Sequence, residues 1–496
     1  MQDTISNGAQ RQLRFVIIGA GMAGLLAGIR LKQRGDTDFT IYEKGDGVGG
    51  TWRENHYPGL ACDTPAHSYT YSFATNPEWS AYYAPGPEIR TYFEGIADRH
   101  DLKKQIVFNS EVVSCRFVGR RWKIMTRDGR EDVADVVVAA TGVLHHPKLP
   151  DIPGIEDFAG PRFHSARWDH SVPLDGKRIG VIGNGSTGVQ IVSALAKSAG
   201  QLVHFQRSPQ WIMPCPDTQY SEAEKQVFRD DPAKIDAARN NPESVARRNR
   251  FAAAIIDMDS PELAEIQEIV ERNLEESVRD PVLREKLRPD YRAACKRMIF
   301  SAHYYDAVQE PSVAVERGAI ERIEARGVRM RDGSLRELDV LVLATGFRVD
   351  QFIRPTVVEG LDGQKLDDLW ARQPRAYYAV TVPGFPNFYL LNGPTGPVGN
   401  FTLIDIAEAQ WDYVDQLTDL LRMGKCNAVA PTMAALEDYE ARRDEAAMRT
   451  VFASGCRSWY LNADGVPQVW PWSFEHFQEV MTKPRLEDYA MVQEQG

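Results

Sequence analysis

A chain of 496 residues, 43% of them hydrophobic and 26% charged, has the length and composition of an ordinary globular protein with two or more domains. Its formal charge of −11 and pI near 5.5 offer no basic surface for nucleic acid or an anionic membrane. No apolar run approaches the ~18 residues of a membrane span, and the start, Met1-Gln2-Asp3-Thr4, lacks the basic and apolar regions of a secretory leader, so a cytoplasmic protein is expected.

The first element is an apolar, β-branched run from Arg14 into Gly19, which reads as a buried parallel strand. The turn Gly19-Ala20-Gly21-Met22-Ala23-Gly24 then opens a helix to about Leu31. Here Gly19 permits the tight turn, Gly21 admits a pyrophosphate, and Gly24 lets helix pack on strand. The helix N-terminus supplies free N–H groups to the phosphates. A second strand, Phe39 to Glu43, ends in an acid placed 24 residues after Gly19, where a carboxylate accepts from ribose hydroxyls. A further glycine turn, Gly47-Val48-Gly49-Gly50-Thr51-Trp52, suits a flavin better than a nicotinamide.

Asp135 to Gly142 is a buried strand ending at Thr141-Gly142, and Asp339 to Gly346 repeats it with Thr345-Gly346. These look like the points where the chain leaves one nucleotide domain and later re-enters it. Between them, Lys177 to Gly183 leads into Gly183-Asn184-Gly185-Ser186-Thr187-Gly188 and a second helix. Gly183, Gly185, Ser186, Thr187, Gly188 and Gln190 are candidate contacts to a second dinucleotide. The next strand, Leu202 to Gln206, ends without an acid and is followed by Arg207 and Ser208. A guanidinium there attracts a 2′-phosphate that a carboxylate would repel, so the second cofactor is expected to be NADP.

The expected architecture is α/β: two Rossmann-like, three-layer dinucleotide-binding domains, the second inserted in the first. Residues 1–145 begin an FAD-binding domain, 146–338 form an NADP-binding domain, and 339–496 return to the first. A charged helical insertion covers about 220–290, with caps at Ser260-Pro261 and Asp280-Pro281. Six cysteines, with no CxxC pair or zinc-knuckle spacing, are expected to be reduced thiols; no metal site is expected, and dithiol reductases are disfavoured.

Phe158, Gly160, His164, Trp168 and Asp169 match the FxGxxxHxxxW(P/D) fingerprint of the Baeyer–Villiger branch of class B flavoprotein monooxygenases. The run from Gly49 to Asp63 matches a second fingerprint of that family. The resemblance extends from about Phe15 to Trp472. It implies that Gly50, Thr51, Trp52, Asp63, Tyr69 and Val112 contact FAD, together with Gly19, Gly21, Gly24 and Glu43. Leu403, at the end of the segment from Gly393, would close over the isoalloxazine ring, although this segment departs from the best-known members. Lys296 would join Arg207 and Ser208 at the 2′-phosphate, and Trp459 would reach the NADP ribose.

The resemblance further implies a cycle in which NADPH reduces FAD, O2 forms a C4a-peroxyflavin, and one oxygen is inserted beside a ketone carbonyl to give an ester or lactone. Arg297 would stabilise the anions and Asp63 would orient it. The segment from Phe158 to Asp169 is expected to be a linker and hinge between the domains, with His164 conformational, Trp168 a packing residue, and Asp169 a turn residue or cap. The alternatives are an N- or S-oxygenating flavin monooxygenase and an uncoupled NADPH-oxidising flavoprotein.

Overall fold

The computed structural model describes residues 11–397 and 401–492. The leader reading on Met1 to Gln10, and Val398, Gly399 and Asn400 of the loop before Leu403, lie outside the described residues.

The chain opens as expected, with strand β1 (Phe15–Ile18), helix α1 (Met22–Arg34) and strand β2 (Phe39–Tyr42). Strands β3 (Ile106–Val107) and β4 (Val136–Ala139) follow. All four strands are parallel, and their apolar runs are buried because helices cover the sheet.

Beyond β4 a second parallel sheet begins with β5 (Arg162–His164) and β6 (Arg178–Ile182). Helix α2 (Ser186–Leu195) and strand β7 (Gln201–Gln206) complete its βαβ unit. Five helices then form the insertion: α3 (Glu222–Asp230), α4 (Ala233–Arg239), α5 (Pro242–Ile256), α6 (Pro261–Ser277) and α7 (Pro281–Leu287). Ser221, Asn241, Ser260 and Asp280 cap four of them through their side chains. The sheet is closed by β8 (Val313–Arg317) and β9 (Val340–Leu343), in the order β8-β7-β6-β9-β5.

The chain then re-enters the first sheet with β10 (Phe388–Leu390), giving the order β10-β4-β1-β2-β3. Helix α8 (Leu403–Arg422) packs on α1. Smaller sheets accompany the nucleotide folds, among them a four-stranded mixed sheet that includes Val112–Val118, which pairs antiparallel with Arg121–Thr126 and parallel with Val357–Glu359.

Three expectations need correction. The return does not begin at 339: β9 lies between β6 and β5, so the second sheet runs to Leu343. An apolar run ending in Thr-Gly looks alike in either sheet, and only its pairing partners assign it. The fingerprint segment is not a free linker, because Arg162 to His164 form the edge strand β5 beside β9. Finally, the six cysteines are not all thiols. Cys295 and Cys456 form a disulfide, with Cα atoms 6.2 Å apart across a separation of 161 residues, which no spacing rule would reveal.

Among the described residues no helix is long and apolar enough to cross a membrane, and no cluster of metal-ligating side chains occurs.

Candidate active site at two glycine turns and an arginine–aspartate pair

The two glycine turns are built alike. Gly19 has φ +102 and Gly183 has φ +110, conformations that disfavour any Cβ. Each leans on the end of the neighbouring strand, Gly19 on the Ala140 carbonyl and Gly183 on that of Ala344. A methyl group on Gly24 would overlap the Gly19 carbonyl, and one on Gly188 would overlap that of Gly183. Helix and strand therefore touch backbone to backbone at both sites.

Helices α1 and α2 start at Gly21 and Gly185 without a side-chain cap, which leaves their first N–H groups for a ligand. A Cβ on Gly185 would meet no protein atom within 4 Å, so the protein leaves space in front of this turn. At the first site a Cβ on Gly50 would lie 3.0 Å from the Gly21 Cα, so two glycine turns close on one another. Both cradles fit a pyrophosphate.

Glu43 is buried. Its carboxylate accepts from Ala20 N and Gly45 N, both at 2.8 Å, so it ties down the glycine loop. Thr51 is the exposed first residue of a short helix. Trp52 donates through Nε1 to the Tyr69 hydroxyl at 3.1 Å, in an edge-to-face pair. Burial pushes the Tyr69 phenol well above its ordinary range, which keeps it neutral. Val112 is buried, and its carbonyl already accepts from Thr356 Oγ1 at 2.8 Å. Leu403 is the first residue of α8, whose N-cap Thr402 accepts from Asp405 N.

At the second site Arg207 is exposed and has no carboxylate paired with it among the described residues. Lys296 reaches the same place from a distant loop, donating to Ser208 Oγ at 2.8 Å with its ammonium 4.0 Å from the Tyr291 ring centre. Burial and then the nearby Arg207 charge lower the Lys296 pKa, against the opposing effect of Asp290. Asn184, not singled out from sequence, holds this turn by donating to the Ser208 carbonyl at 2.7 Å.

Thr187 and Gln190 turn elsewhere. The Tyr57 hydroxyl donates to Gln190 Oε1 at 2.8 Å, and Gln190 Nε2 donates to the Ala61 carbonyl at 3.0 Å. Thr187 Oγ1 lies 3.4 Å from the same tyrosine hydroxyl. Both residues thus tie α2 to the 57–61 loop, a contact between the two nucleotide units rather than one aimed only at a cofactor.

The two residues expected to carry the chemistry come together as a pair. Arg297 donates through Nε and Nη2 to one oxygen of Asp63, at 3.2 and 2.7 Å, across 234 residues of sequence. The Asp63 charge raises the guanidinium pKa against the opposing effect of burial, so it is a permanent cation. Tyr460 also interacts with this guanidinium, a partner that sequence reading missed. The Cys295–Cys456 bond explains its presence: it joins the loop bearing Lys296 and Arg297 to the one bearing Trp459 and Tyr460. Trp459 is exposed and stacks on Tyr460 with ring centres 3.9 Å apart.

His164 is buried; Nδ1 accepts from Ala166 N at 3.1 Å, and Nε2 lies 3.0 Å from the Gly346 carbonyl. Both ring nitrogens are thus occupied by backbone. Trp168 packs edge-to-face on Phe163, and Asp169 caps a turn at Ser171.

Residues 12–222 match the model of the flavin-binding monooxygenase-like family. An uncharacterised monooxygenase of Mycobacterium tuberculosis is 44% identical over 96% of this chain and 95% of its own. A Baeyer–Villiger monooxygenase of Streptomyces coelicolor is 38% identical over 97% of this chain and 93% of its own. Cyclohexanone monooxygenase from Rhodococcus sp. Phi1, solved with NADP+ bound, superposes with a TM-score of 0.86 at 29% identity, covering 97% and 99% of the two chains. The chain belongs to the flavin-binding monooxygenases, in the branch of the Baeyer–Villiger enzymes.

Proposed function

We propose that the protein inserts one atom of O2 beside a ketone carbonyl, with FAD held at the Gly19–Gly24 turn and NADPH at the Gly183–Gly188 turn. The balance is ketone, O2, NADPH and H+ giving ester or lactone, NADP+ and water. Bound FAD supplies the hydride acceptor and the site of oxygen activation.

The observation that carries this reading is the Asp63–Arg297 pair. A cation that never loses its proton stabilises negative charge developing on the substrate's carbonyl oxygen, and a fixed donor of this kind is worth ~3 kcal/mol. Asp63 holds the guanidinium plane in place, and Tyr460 gives it a second partner. Arg207, Ser208 and Lys296 hold the 2′-phosphate and so select NADPH. Trp52 and Tyr69 wall the flavin side without offering a charge.

Arg297→Ala should reduce ester formation by about 10²–10³-fold or more, while NADPH still bleaches the flavin in an anaerobic stopped-flow experiment. Product analysis of the variant with a ketone panel decides the role: ester formed at the wild-type rate removes Arg297 from the chemistry. A thioether run beside the ketones separates this reading from soft-nucleophile oxygenation, and hydrogen peroxide as the sole product would mark an uncoupled oxidase.

A further inference from the structure

Lys296 and Arg297 follow directly on Cys295, and Trp459 and Tyr460 lie three and four residues beyond Cys456. The bond between the two cysteines, with Cα atoms 6.2 Å apart, thus fastens the segment that bears the candidate catalytic cation to a segment of aromatic rings. Tyr460 is buried and is a hydrogen-bond partner of the Arg297 guanidinium. Its ring packs against those of Phe452 and Trp459, with centres 4.1 and 3.9 Å away.

Little else holds the second segment. From Gly455 to Tyr460 the chain has no helix or strand, and among the described residues none of its backbone N–H groups donates to a backbone carbonyl. It is tied instead through the Ser458 and Tyr460 carbonyls, which accept from Leu461 N at 3.4 Å and Gln468 N at 2.7 Å. Ser458 Oγ is buried without a hydrogen-bond partner among the described residues, which further weakens the closed arrangement. A stretch with so few main-chain hydrogen bonds opens locally at small cost, so the covalent bond decides whether it stays beside Arg297.

The two sulfurs differ in access. Cys295 is fully enclosed, whereas Cys456 lies just beneath the surface between exposed Gly455 and Arg457. An external thiolate therefore meets Cys456 Sγ first. The protein supplies no such thiolate itself at neutral pH. Burial pushes the thiols of Cys62 and Cys115 up to about 12 and that of Cys215 up to about 11, and it raises that of Cys426 as well.

We propose that the Cys295–Cys456 bond is a redox switch on oxygen insertion. Closed, it holds Tyr460 on Arg297 and Trp459 on the NADPH side; opened by a dithiol, it releases both. The first thiolate of the dithiol joins Cys456 in a mixed disulfide, and Cys295 departs with the electron pair of the S–S bond and takes up a proton. The second thiolate then displaces Cys456. Two electrons and two protons thus pass to the cysteine pair from the dithiol, which becomes a cyclic disulfide. Without Tyr460 the guanidinium keeps Asp63 but loses its second partner, and reducing equivalents from NADPH leave as hydrogen peroxide instead of entering an ester. The inference rests on the Baeyer–Villiger reading for the loss of ester, and on the cross-link alone for the loss of grip on NADPH.

The test takes FAD-loaded enzyme through one cycle: oxidised with glutathione disulfide, treated with dithiothreitol and desalted, then oxidised again. Thiols counted after denaturation should run from four to six and back to four. With a ketone panel, ester formed per NADPH consumed should fall about tenfold in the six-thiol form, the usual effect of losing a hydrogen bond to a charged group. Hydrogen peroxide should make up the difference, and the yield should return with the bond. The KM for NADPH should rise about five- to tenfold in the same form. Cys456→Ser should match the reduced enzyme with or without dithiothreitol. Tyr460→Phe, which keeps the cross-link and the ring, should lose ester yield while dithiothreitol still changes its KM for NADPH. Equal ester yield from active four- and six-thiol forms would overturn the inference, as would a loss that re-oxidation does not reverse or a native bond that dithiothreitol leaves intact. No ester from any ketone in either form would instead overturn the oxygenation reading, and a reversible change in the KM for NADPH would leave the switch standing.

Discussion

At the scale of single residues, the selectivity for NADPH proposed above rests on Arg207, Ser208 and Lys296. Ser208 Oγ accepts from Lys296 across 88 residues of sequence, and exposed Arg207 is left free of carboxylates. Arg207→Ala should raise the KM for NADPH by about ten- to a hundredfold, the usual loss for a charge-assisted contact. It should leave the KM for NADH nearly where it was, because NADH has no 2′-phosphate to lose. Steady-state kinetics with both nucleotides check this, and a parallel rise in both values would place Arg207 outside the phosphate site. Arg207 was legible from sequence because a strand ending without an acid is a local signal. Lys296 came only through the family resemblance, since nothing around it marks it as a phosphate ligand until the fold brings it to Ser208.

At the scale of elements, the two strand–turn–helix units are built to one plan, and the proposal gives them different cofactors. Gly24 and Gly188 sit where helix meets strand, and at either one a methyl group would collide with a backbone carbonyl that cannot yield. Gly24→Ala should therefore yield protein depleted of FAD, read from its absorbance near the flavin band. Gly188→Ala should retain its flavin and suffer mainly in NADPH affinity. Loss of FAD from Gly188→Ala with retention by Gly24→Ala would reverse the assignment of the two turns. Both glycines were plain in the sequence, for the reason that tight turns and close helix–strand approach are decided within about ten residues. The role of Gln190 was not. It sits on α2 where a cofactor contact was expected, yet its amide is engaged by Tyr57 and Ala61 of the other unit.

At the scale of the whole molecule, two loops far apart in sequence are locked together beside Arg297. The disulfide between Cys295 and Cys456 leaves Cys62, Cys115, Cys215 and Cys426 as free thiols. Protein denatured without reductant should accordingly titrate as four thiols, and as six after reduction. Six thiols before reduction would remove the cross-link. Cys456→Ser should lower the thermal midpoint, with a loss of about 2–4 kcal/mol expected for such a bond.

The βαβ units, the glycine turns, the acid at Glu43 and its absence after Gln206 are written in stretches of a few dozen residues, since hydrophobic periodicity and turn chemistry act locally. The family resemblance added Asp63 and Arg297 as a candidate pair. Three-dimensional packing alone supplied the rest: the placement of β9 in the second sheet, the edge strand at His164, the Cys295–Cys456 bond, and Tyr460 beside Arg297. Each of these depends on which distant segments become neighbours, and that is set by burial of the whole chain rather than by any one stretch of it.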